Sequence, residues 1–125
     1  MAVKVLDASA AAAMLFAEPA GERLFAELGD CELVAPSLLH FELANVCVVK
    51  CRKHPERRGA LMDAFGSRDQ LAVTEAPVNY DAVLALAREL DLSAYDASYL
   101  WLARALGVPL VTLDRRLAKA AAADR

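Results

Sequence analysis

Four acidic residues of this sequence stand just after predicted strands or within the first two turns of predicted helices. They are Asp7, Glu42, Asp96 and Asp114. Carboxylate oxygens are the ligands that hard cations such as Mg²⁺ and Mn²⁺ prefer, and carboxylates brought close together need a cation or a proton to offset their repulsion. A cation held in this way can position a phosphodiester, activate water and stabilise the leaving oxygen. The residue types therefore predict metal-dependent phosphodiester hydrolysis without a covalent intermediate, with one or two ions, if the fold brings the four side chains together.

The hydrophobic pattern indicates which elements would position these acids. Short β-branched and apolar runs predict strands at residues 3–6, 32–35, 70–73 and 109–112. Apolar residues at helical spacing, bounded by Pro and Gly, predict helices at about residues 9–16, 22–28, 37–53, 55–65, 78–90, 93–106 and 115–123.

Alternating strands and helices predict a three-layer α/β/α fold, with helices on both faces of a central parallel sheet of four strands. Ligands of open α/β sheets bind outside the carboxyl ends of the strands, where the strand order reverses. Asp7 directly follows the first strand, and Asp114 comes just past the fourth. If these two strands are neighbours, about 4.8 Å apart, both carboxylates face one crevice.

Glu42 lies about five residues into the helix after the second strand, one to two turns from the same edge at about 1.5 Å per residue. Asp96 lies in the first turn of the helix that leads to the fourth strand. Each acid also fits a purely structural role: Asp96 in a capping box with Ser93, Asp114 as a helix cap, Asp7 in a turn and Glu42 on a solvated face. These roles do not explain why acids from four elements reach one edge.

Length and composition limit the class of protein. A chain of 125 residues predicts one domain, residues 1–125, and an apolar content of 58% excludes a disordered chain. No apolar run reaches the roughly 18 residues of a membrane span, and Lys4 and Asp7 interrupt the N-terminal segment, which predicts a cytoplasmic protein. The net charge is −3, but without the four acids the remainder is +1. The charge therefore neither favours nor excludes a nucleic-acid partner.

Cysteine and histidine do not offer a rival site. Cys31, Cys47 and Cys51 show no CxxC spacing and have no histidine suitably placed to complete a zinc site, so we expect free thiols. His40 and His54 lack the partners of a catalytic triad, and we expect them to be non-catalytic.

The acids lie in segments that resemble the motifs of the PIN-domain family. Residues 5–10, VLDASA, are similar to its opening strand and Asp-x-Ser/Thr motif, and residues 41–46, FELANV, to its Glu-x-x-Asn helix. Residues 92–99, LSAYDASY, resemble the third motif, and residues 110–114, LVTLD, the fourth. The four motifs occur in the right order over almost the whole chain. Within the family, the sequence most resembles the VapC-type toxins of bacterial toxin–antitoxin modules.

The resemblance implies a Mg²⁺- or Mn²⁺-dependent endoribonuclease that cuts RNA, often a structured RNA such as tRNA. It also implies a homodimer, and a VapB-type antitoxin protein that blocks the acidic site. The four acids would be metal ligands, while Ser9, Asn45 and Thr112 would orient carboxylates or phosphate. Ser9 fits equally well as a helix N-cap, Asn45 as a residue bonded within its helix, and Thr112 as a β-branched strand residue.

Two further sets of residues near the acids have more than one interpretation. Arg115 and Arg116 follow the fourth acid directly, so they are candidates for contact with phosphate or antitoxin. Tyr95, Tyr99 and Trp101 share one predicted helix, where packing in the core or a dimer is one role and base stacking another.

Other functions remain as alternatives. A phosphatase of the haloacid dehalogenase kind also places an aspartate after its first strand, but its chemistry needs a second aspartate two residues later, where this chain has Ser9. A non-catalytic PIN-like binding module is the other alternative. PIN proteins commonly continue into a fifth strand, whereas here only Asp124 and Arg125 follow the predicted closing helix.

Overall fold

The computed structural model describes residues 1–123, in which strands and helices alternate. The strands are β1 (Val3–Leu6), β2 (Glu32–Ala35), β3 (Val73–Glu75) and β4 (Leu110–Val111). The helices are α1 (Ala8–Leu15), α2 (Gly21–Leu28), α3 (Leu38–Lys53), α4 (Arg58–Gly66), α5 (Tyr80–Leu90), α6 (Ala94–Leu106) and α7 (Arg115–Ala123). Two 3₁₀ turns, Pro55–Arg57 and Arg68–Leu71, flank α4.

The four strands form one parallel sheet in the order β3-β2-β1-β4. Val5 of β1 pairs with Val34 of β2 on one side and with Leu110 of β4 on the other. The strand order therefore reverses beside β1, and a crevice opens between the carboxyl ends of β1 and β4. The predicted three-layer α/β fold, a parallel sheet of four strands flanked by helices, is confirmed.

Strand β1 and helix α1, which follows it, form the most buried part of the core. Val5 and Leu6 are fully buried, and so are the small side chains of residues 10–13 in α1. Leu43 of α3 and Tyr99 of α6 join the same core cluster. Because these buried contacts hold α3 and α6 against the sheet, they also set the position of Glu42 and Asp96 on the same helices.

The structure corrects several predicted boundaries. The third strand, predicted at residues 70–73, begins only at Val73. Leu71 is buried but belongs to a 3₁₀ turn, and the next residue, Ala72, has a left-handed φ of 52°, which a strand cannot contain. The helix predicted at residues 55–65 is divided into a 3₁₀ turn and α4. The option of a fifth strand after α7 lies outside the described residues. Within residues 1–123, none of the helices combines the length and the apolar character of a membrane span.

Gly21 provides a test of how closely α1 and α2 pack. A Cβ at this position would lie 2.1 Å from the carbonyl oxygen of Ala13, which is backbone and has little room to move. We expect Gly21→Ala to lower the free energy of unfolding by about 2 kcal/mol, measured by urea denaturation. Gly59→Ala is the matched control, because no atom lies within 4 Å of a Cβ at Gly59. Equal stability of the two variants would contradict this packing.

Candidate active site

All four predicted acids line one pocket of about 600 Å³ at the carboxyl edge of the sheet. This acidic pocket is bounded by Asp7 after β1, Glu42 on α3, Asp96 on α6 and Asp114 after β4. Of residues 1–123, no lysine, arginine or histidine contributes to its lining. The pocket therefore presents carboxylates without a basic side chain to neutralise them.

Asp7 is the most buried of the four acids, with 3% of its surface exposed. Its Oδ1 accepts hydrogen bonds from the backbone amide of Ala10 (3.0 Å) and from the hydroxyl of Ser9 (2.7 Å). Its Oδ2 accepts a hydrogen bond from the hydroxyl of Thr112 at 2.5 Å. The amide bond makes Asp7 the N-cap of α1. The alternative of Ser9 as the cap is therefore wrong, because the helix begins one residue before Ser9.

Ser9 and Thr112 join the ends of β1 and β4. Each hydroxyl donates a hydrogen bond to Asp7 and accepts one from a backbone amide of the segment after β4. The amide of Leu113 donates to Ser9 at 2.9 Å, and the amide of Asp114 donates to Thr112 at 3.0 Å. The two hydroxyls thus position the backbone of Asp114 relative to the carboxylate of Asp7.

Glu42 receives a hydrogen bond from a residue whose part in the site the sequence did not indicate. The phenol of Tyr99, a residue only 1% exposed, donates to Oε1 of Glu42 at 2.7 Å. Tyr99 lies three residues after Asp96 and so on the same face of α6. That spacing is the one signal from which its place beside the acids could have been predicted. Core packing of Tyr99 is confirmed, but it is only part of its role.

Asp96 and Asp114 combine capping geometry with a place in the pocket. The hydroxyl of Ser93 accepts a hydrogen bond from the backbone amide of Asp96 at 3.0 Å, as expected at the start of a helix. Oδ1 of Asp114 accepts the amide of Leu117 at 3.0 Å and so caps α7. Asp114 therefore has the capping role considered for it and still lines the pocket, whereas the bond at Ser93 uses only the backbone amide of Asp96, whose side chain lines the pocket.

The other predicted contact residues differ in their distance from the acids. Asn45 lies one turn after Glu42 on α3 and lines the acidic pocket. Arg115 and Arg116 do not line it. Arg116 instead donates to the backbone oxygen of Asp91 and contacts its carboxylate at 3.3 Å.

Burial and mutual repulsion weaken the acidity of the clustered carboxyl groups. Burial, and then the charge of Asp96, raise the pKa of Asp7, although the hydrogen bonds from Thr112 and Ser9 oppose the shift. Burial raises the pKa of Glu42 despite the bond from Tyr99, and the charges of Asp96 and Asp7 add to the rise. Burial and the charge of Asp114 raise the pKa of Asp96. The pocket is thus a place where protons or cations are favoured.

The donor set fits a hard divalent cation, because the pocket offers carboxylate oxygens and no thiol or imidazole. As the side chains lie, no three Asp, Glu, His or Cys residues of the described chain are arranged to hold one ion. Mg²⁺ is commonly held by one or two carboxylates with water completing its coordination, so a three-carboxylate cage is not needed. Asp96 and Asp114 are partly exposed, whereas Asp7 is buried.

The remaining cysteines and histidines lie outside the pocket. Cys31, Cys47 and Cys51 are free thiols, as predicted. His40 contacts Glu75 at 2.8 Å, and His54 lies near Glu56.

Thr112→Val tests the link between the two strands, since it removes one hydroxyl at nearly constant shape. We expect a loss of about 2 kcal/mol in the free energy of unfolding, because the amide of Asp114 and an oxygen of Asp7 lose a partner. The pKa of Asp7, followed by carboxyl NMR, should rise further. Thr74→Val, at an exposed position of β3, is the control. An unchanged Asp7 titration in the Thr112 variant would exclude the proposed link.

The raised pKa values predict how pH affects the metal-free protein. The folded-state pKa of Asp7 lies above its ordinary value of 3.8, so protonation favours folding. The stability that this group contributes is largest below the unfolded-state pKa and is lost as pH rises through the folded-state pKa. The Asp7→Asn variant has no carboxyl group to ionise, so its stability does not fall in this way as pH rises. With a chelator present, we expect Asp7→Asn to gain unfolding free energy relative to wild type as pH rises from about 4 to about 7.

Urea denaturation across this pH range measures the difference. Asp30→Asn, at an exposed position outside the pocket, should show no comparable trend. A difference between Asp7→Asn and wild type that shrinks with rising pH would mean that ionisation of Asp7 stabilises the fold.

Comparisons with known proteins agree with this geometry. A VapC ribonuclease of Mycobacterium bovis, Mb0985, is 36% identical over 124 residues, which cover 90% of this chain and 87% of that protein. Ribonuclease VapC9 of Mycobacterium tuberculosis has the same identity and coverage. The crystal structure of PAE2754 from Pyrobaculum aerophilum superimposes with a TM-score of 0.76 at 26% identity, over 96% of this chain and 87% of that chain. The family model of the PIN domain matches residues 4–123, and the chain belongs to the PIN domain family.

Proposed function

We propose that this protein is a metal-dependent endoribonuclease that hydrolyses RNA phosphodiester bonds, and that it is the toxin of a VapBC-type toxin–antitoxin module. The observation that supports the proposal most directly is the single pocket lined by Asp7, Glu42, Asp96 and Asp114. The relatives named VapC ribonucleases support the substrate class and the toxin role.

The four acids would hold Mg²⁺ or Mn²⁺ in this pocket. The cation would offset the charge of the phosphodiester, activate water and stabilise the leaving oxygen. Without it, a phosphodiester entering the pocket meets carboxylates and no basic side chain, so the substrate would be repelled.

The chain's own residues have distinct parts in this function. Asp7 is held by three donors and serves as the fixed ligand. Tyr99 orients Glu42 through its phenol, while Ser9 and Thr112 orient Asp7. Asn45 faces the same pocket and is proposed to contact phosphate or a carboxylate. Since all four supporting side chains are neutral, they leave the negative charge of the acids available to the cation.

The partners follow from the same function. The proposed partners are an RNA substrate, with tRNA as one candidate, and a VapB-type antitoxin that covers the pocket. A homodimer and a cytoplasmic location, where such RNA is found, are part of the proposal. Arg115 and Arg116 remain candidates for contact with phosphate or antitoxin, although Arg116 would first have to leave Asp91.

A non-catalytic PIN-like binding module is the alternative against which the proposal is tested. The site does not support a phosphatase of the haloacid dehalogenase kind. Such an enzyme needs a general-acid aspartate two residues after the first, and here that position is Ser9, which donates a hydrogen bond to Asp7.

Asp7→Asn distinguishes these functions. The amide keeps an acceptor for the α1 cap but lacks the negative charge that a cation needs. We expect cleavage of total cellular RNA in Mg²⁺ or Mn²⁺ to fall at least about a hundredfold, with the fold retained by circular dichroism. Calorimetric titration with Mn²⁺ should show a matching loss of affinity.

Asp63→Asn, on the exposed surface of α4, is the control and should cut RNA as wild type does. Equal cleavage by the Asp7 and Asp63 variants would remove the catalytic proposal. A wild-type protein that neither binds Mn²⁺ nor cuts RNA would favour the binding module.

A further inference from the structure

Three sulfur-bearing side chains meet at a second cavity, which lies between α3 and α4. Cys47 and Cys51 are one turn apart on α3, and Met62 reaches the cavity from α4. This sulfur cavity has a volume of about 340 Å³ and is completed by Arg52, Arg58 and apolar side chains. It shares no lining residue with the acidic pocket, so it is a separate place on the molecule.

The sulfur atoms lie close enough to share one ion. Sγ of Cys47 lies 4.0 Å from Sδ of Met62. Burial, and then interaction with the thiol of Cys51, raise the pKa of Cys47, so the two thiols are neighbours as well. An ion bonded at about 2.3 Å to three sulfurs in a trigonal plane separates those sulfurs by about 4 Å. The separation of Cys47 and Met62 therefore already suits a shared ion.

Packing explains one of these side chains but not the other. Cys47 is buried in the core, where a free thiol commonly acts as a small apolar group. Met62 is 56% exposed and belongs to none of the core clusters of residues 1–123, yet its sulfur lies against the buried thiol. A side chain that gains little from burial and still directs its sulfur to a thiol points to a ligand.

The donor atoms select a soft ion. Cu(I) prefers thiolate and thioether sulfur, whereas Mg²⁺ prefers oxygen. Structural zinc sites close with four ligands drawn from Cys, His, Asp and Glu. Of the described residues, no histidine or carboxylate lines the sulfur cavity to complete such a set. The cavity therefore fits Cu(I) with three sulfur ligands.

The charge of the cavity also favours a monovalent ion. Cu(I) held by two thiolates has a net charge of −1, which is costly among apolar side chains unless it is offset. Arg52 and Arg58 line the same cavity and supply positive charge beside the sulfurs. A divalent ion with the same two thiolates would be neutral and would gain nothing from these arginines.

We propose that Cys47, Cys51 and Met62 bind a single Cu(I) ion, independently of the proposed ribonuclease site. Two S–H bonds break, two bonds from copper to thiolate and one to the thioether form, and two protons pass to solvent. Copper remains Cu(I) throughout, so no oxidant or reductant takes part. Helix α3 then carries ligands for two different kinds of ion, an oxygen donor at Glu42 and sulfur donors farther along.

The test is an anaerobic competition for Cu(I). Reduced protein is titrated into the coloured Cu(I) complex of bathocuproine disulfonate, and the loss of colour measures the copper transferred. We expect one Cu(I) per chain. Cys47→Ser and Cys51→Ser should each weaken binding at least about a hundredfold, because a hydroxyl is a hard donor. Met62→Leu, which keeps an apolar side chain, should weaken it about tenfold.

Controls separate this site from general thiol binding and from loss of the fold. Cys31→Ser removes a free thiol outside the sulfur cavity and should bind Cu(I) as wild type does. Circular dichroism checks that each variant is folded. Cys51 and Met62 are more exposed than Cys47, so their variants carry the test if Cys47→Ser unfolds. Calorimetry in buffers of different ionisation enthalpy should show about two protons released per ion at neutral pH.

Each outcome supports or overturns the site. A wild-type protein that takes no more copper than the Cys51→Ser variant would overturn it, leaving the sulfurs as packing. Unchanged affinity in Met62→Leu would exclude the three-sulfur site. An equal loss in Cys31→Ser would mean adventitious binding by free thiols. The titration contains neither RNA nor Mg²⁺, so its failure leaves the ribonuclease proposal intact, and an absence of RNA cleavage leaves the copper site intact.

Discussion

The geometry of the acidic pocket depends on one buried carboxylate at the end of the central strand. Asp7 is nearly inaccessible to solvent, and a charge in that position is tolerable only because the hydroxyls of Ser9 and Thr112 and an amide of α1 donate to it. Since the same hydroxyls accept the amides of Leu113 and Asp114, the chain after β4 is placed by reference to Asp7. Two strands far apart in sequence thereby contribute to one site.

Much of this arrangement could be predicted from local patterns, and what could not depends on tertiary contacts. Strand β1 and its terminal acid have a clear local pattern, and the parallel topology then brings Asp114 to the same edge. The start of β3 could not be predicted, because the 3₁₀ turn that ends at Leu71 and the left-handed backbone at Ala72 have no signal in the apolar run of residues 70–73. The bond between Tyr99 and Glu42 joins residues on two helices, and no pattern within either helix specifies it.

The acids at helix ends show why structural and functional readings of a residue need not compete. Asp114 caps α7 and also lines the pocket, and Asp7 does the same for α1. A helix that begins at the carboxyl edge of a sheet needs an acceptor there, and a cation site needs carboxylates there. One side chain can meet both needs. The remaining cost is repulsion among the acids, a local loss of stability of the kind often retained for function.

The shortness of β4 has a consequence for the heat tolerance of the site. Strand β4, at the edge of the sheet formed by residues 1–123, has only two residues, yet the segment that follows it supplies both Thr112 and Asp114. Short edge elements open locally at a lower free energy than the core they border. Fraying of β4 would separate Asp114 from Asp7 while β1, β2 and their helices stay folded. The pocket should thus have a melting temperature of its own, below that of the molecule as a whole.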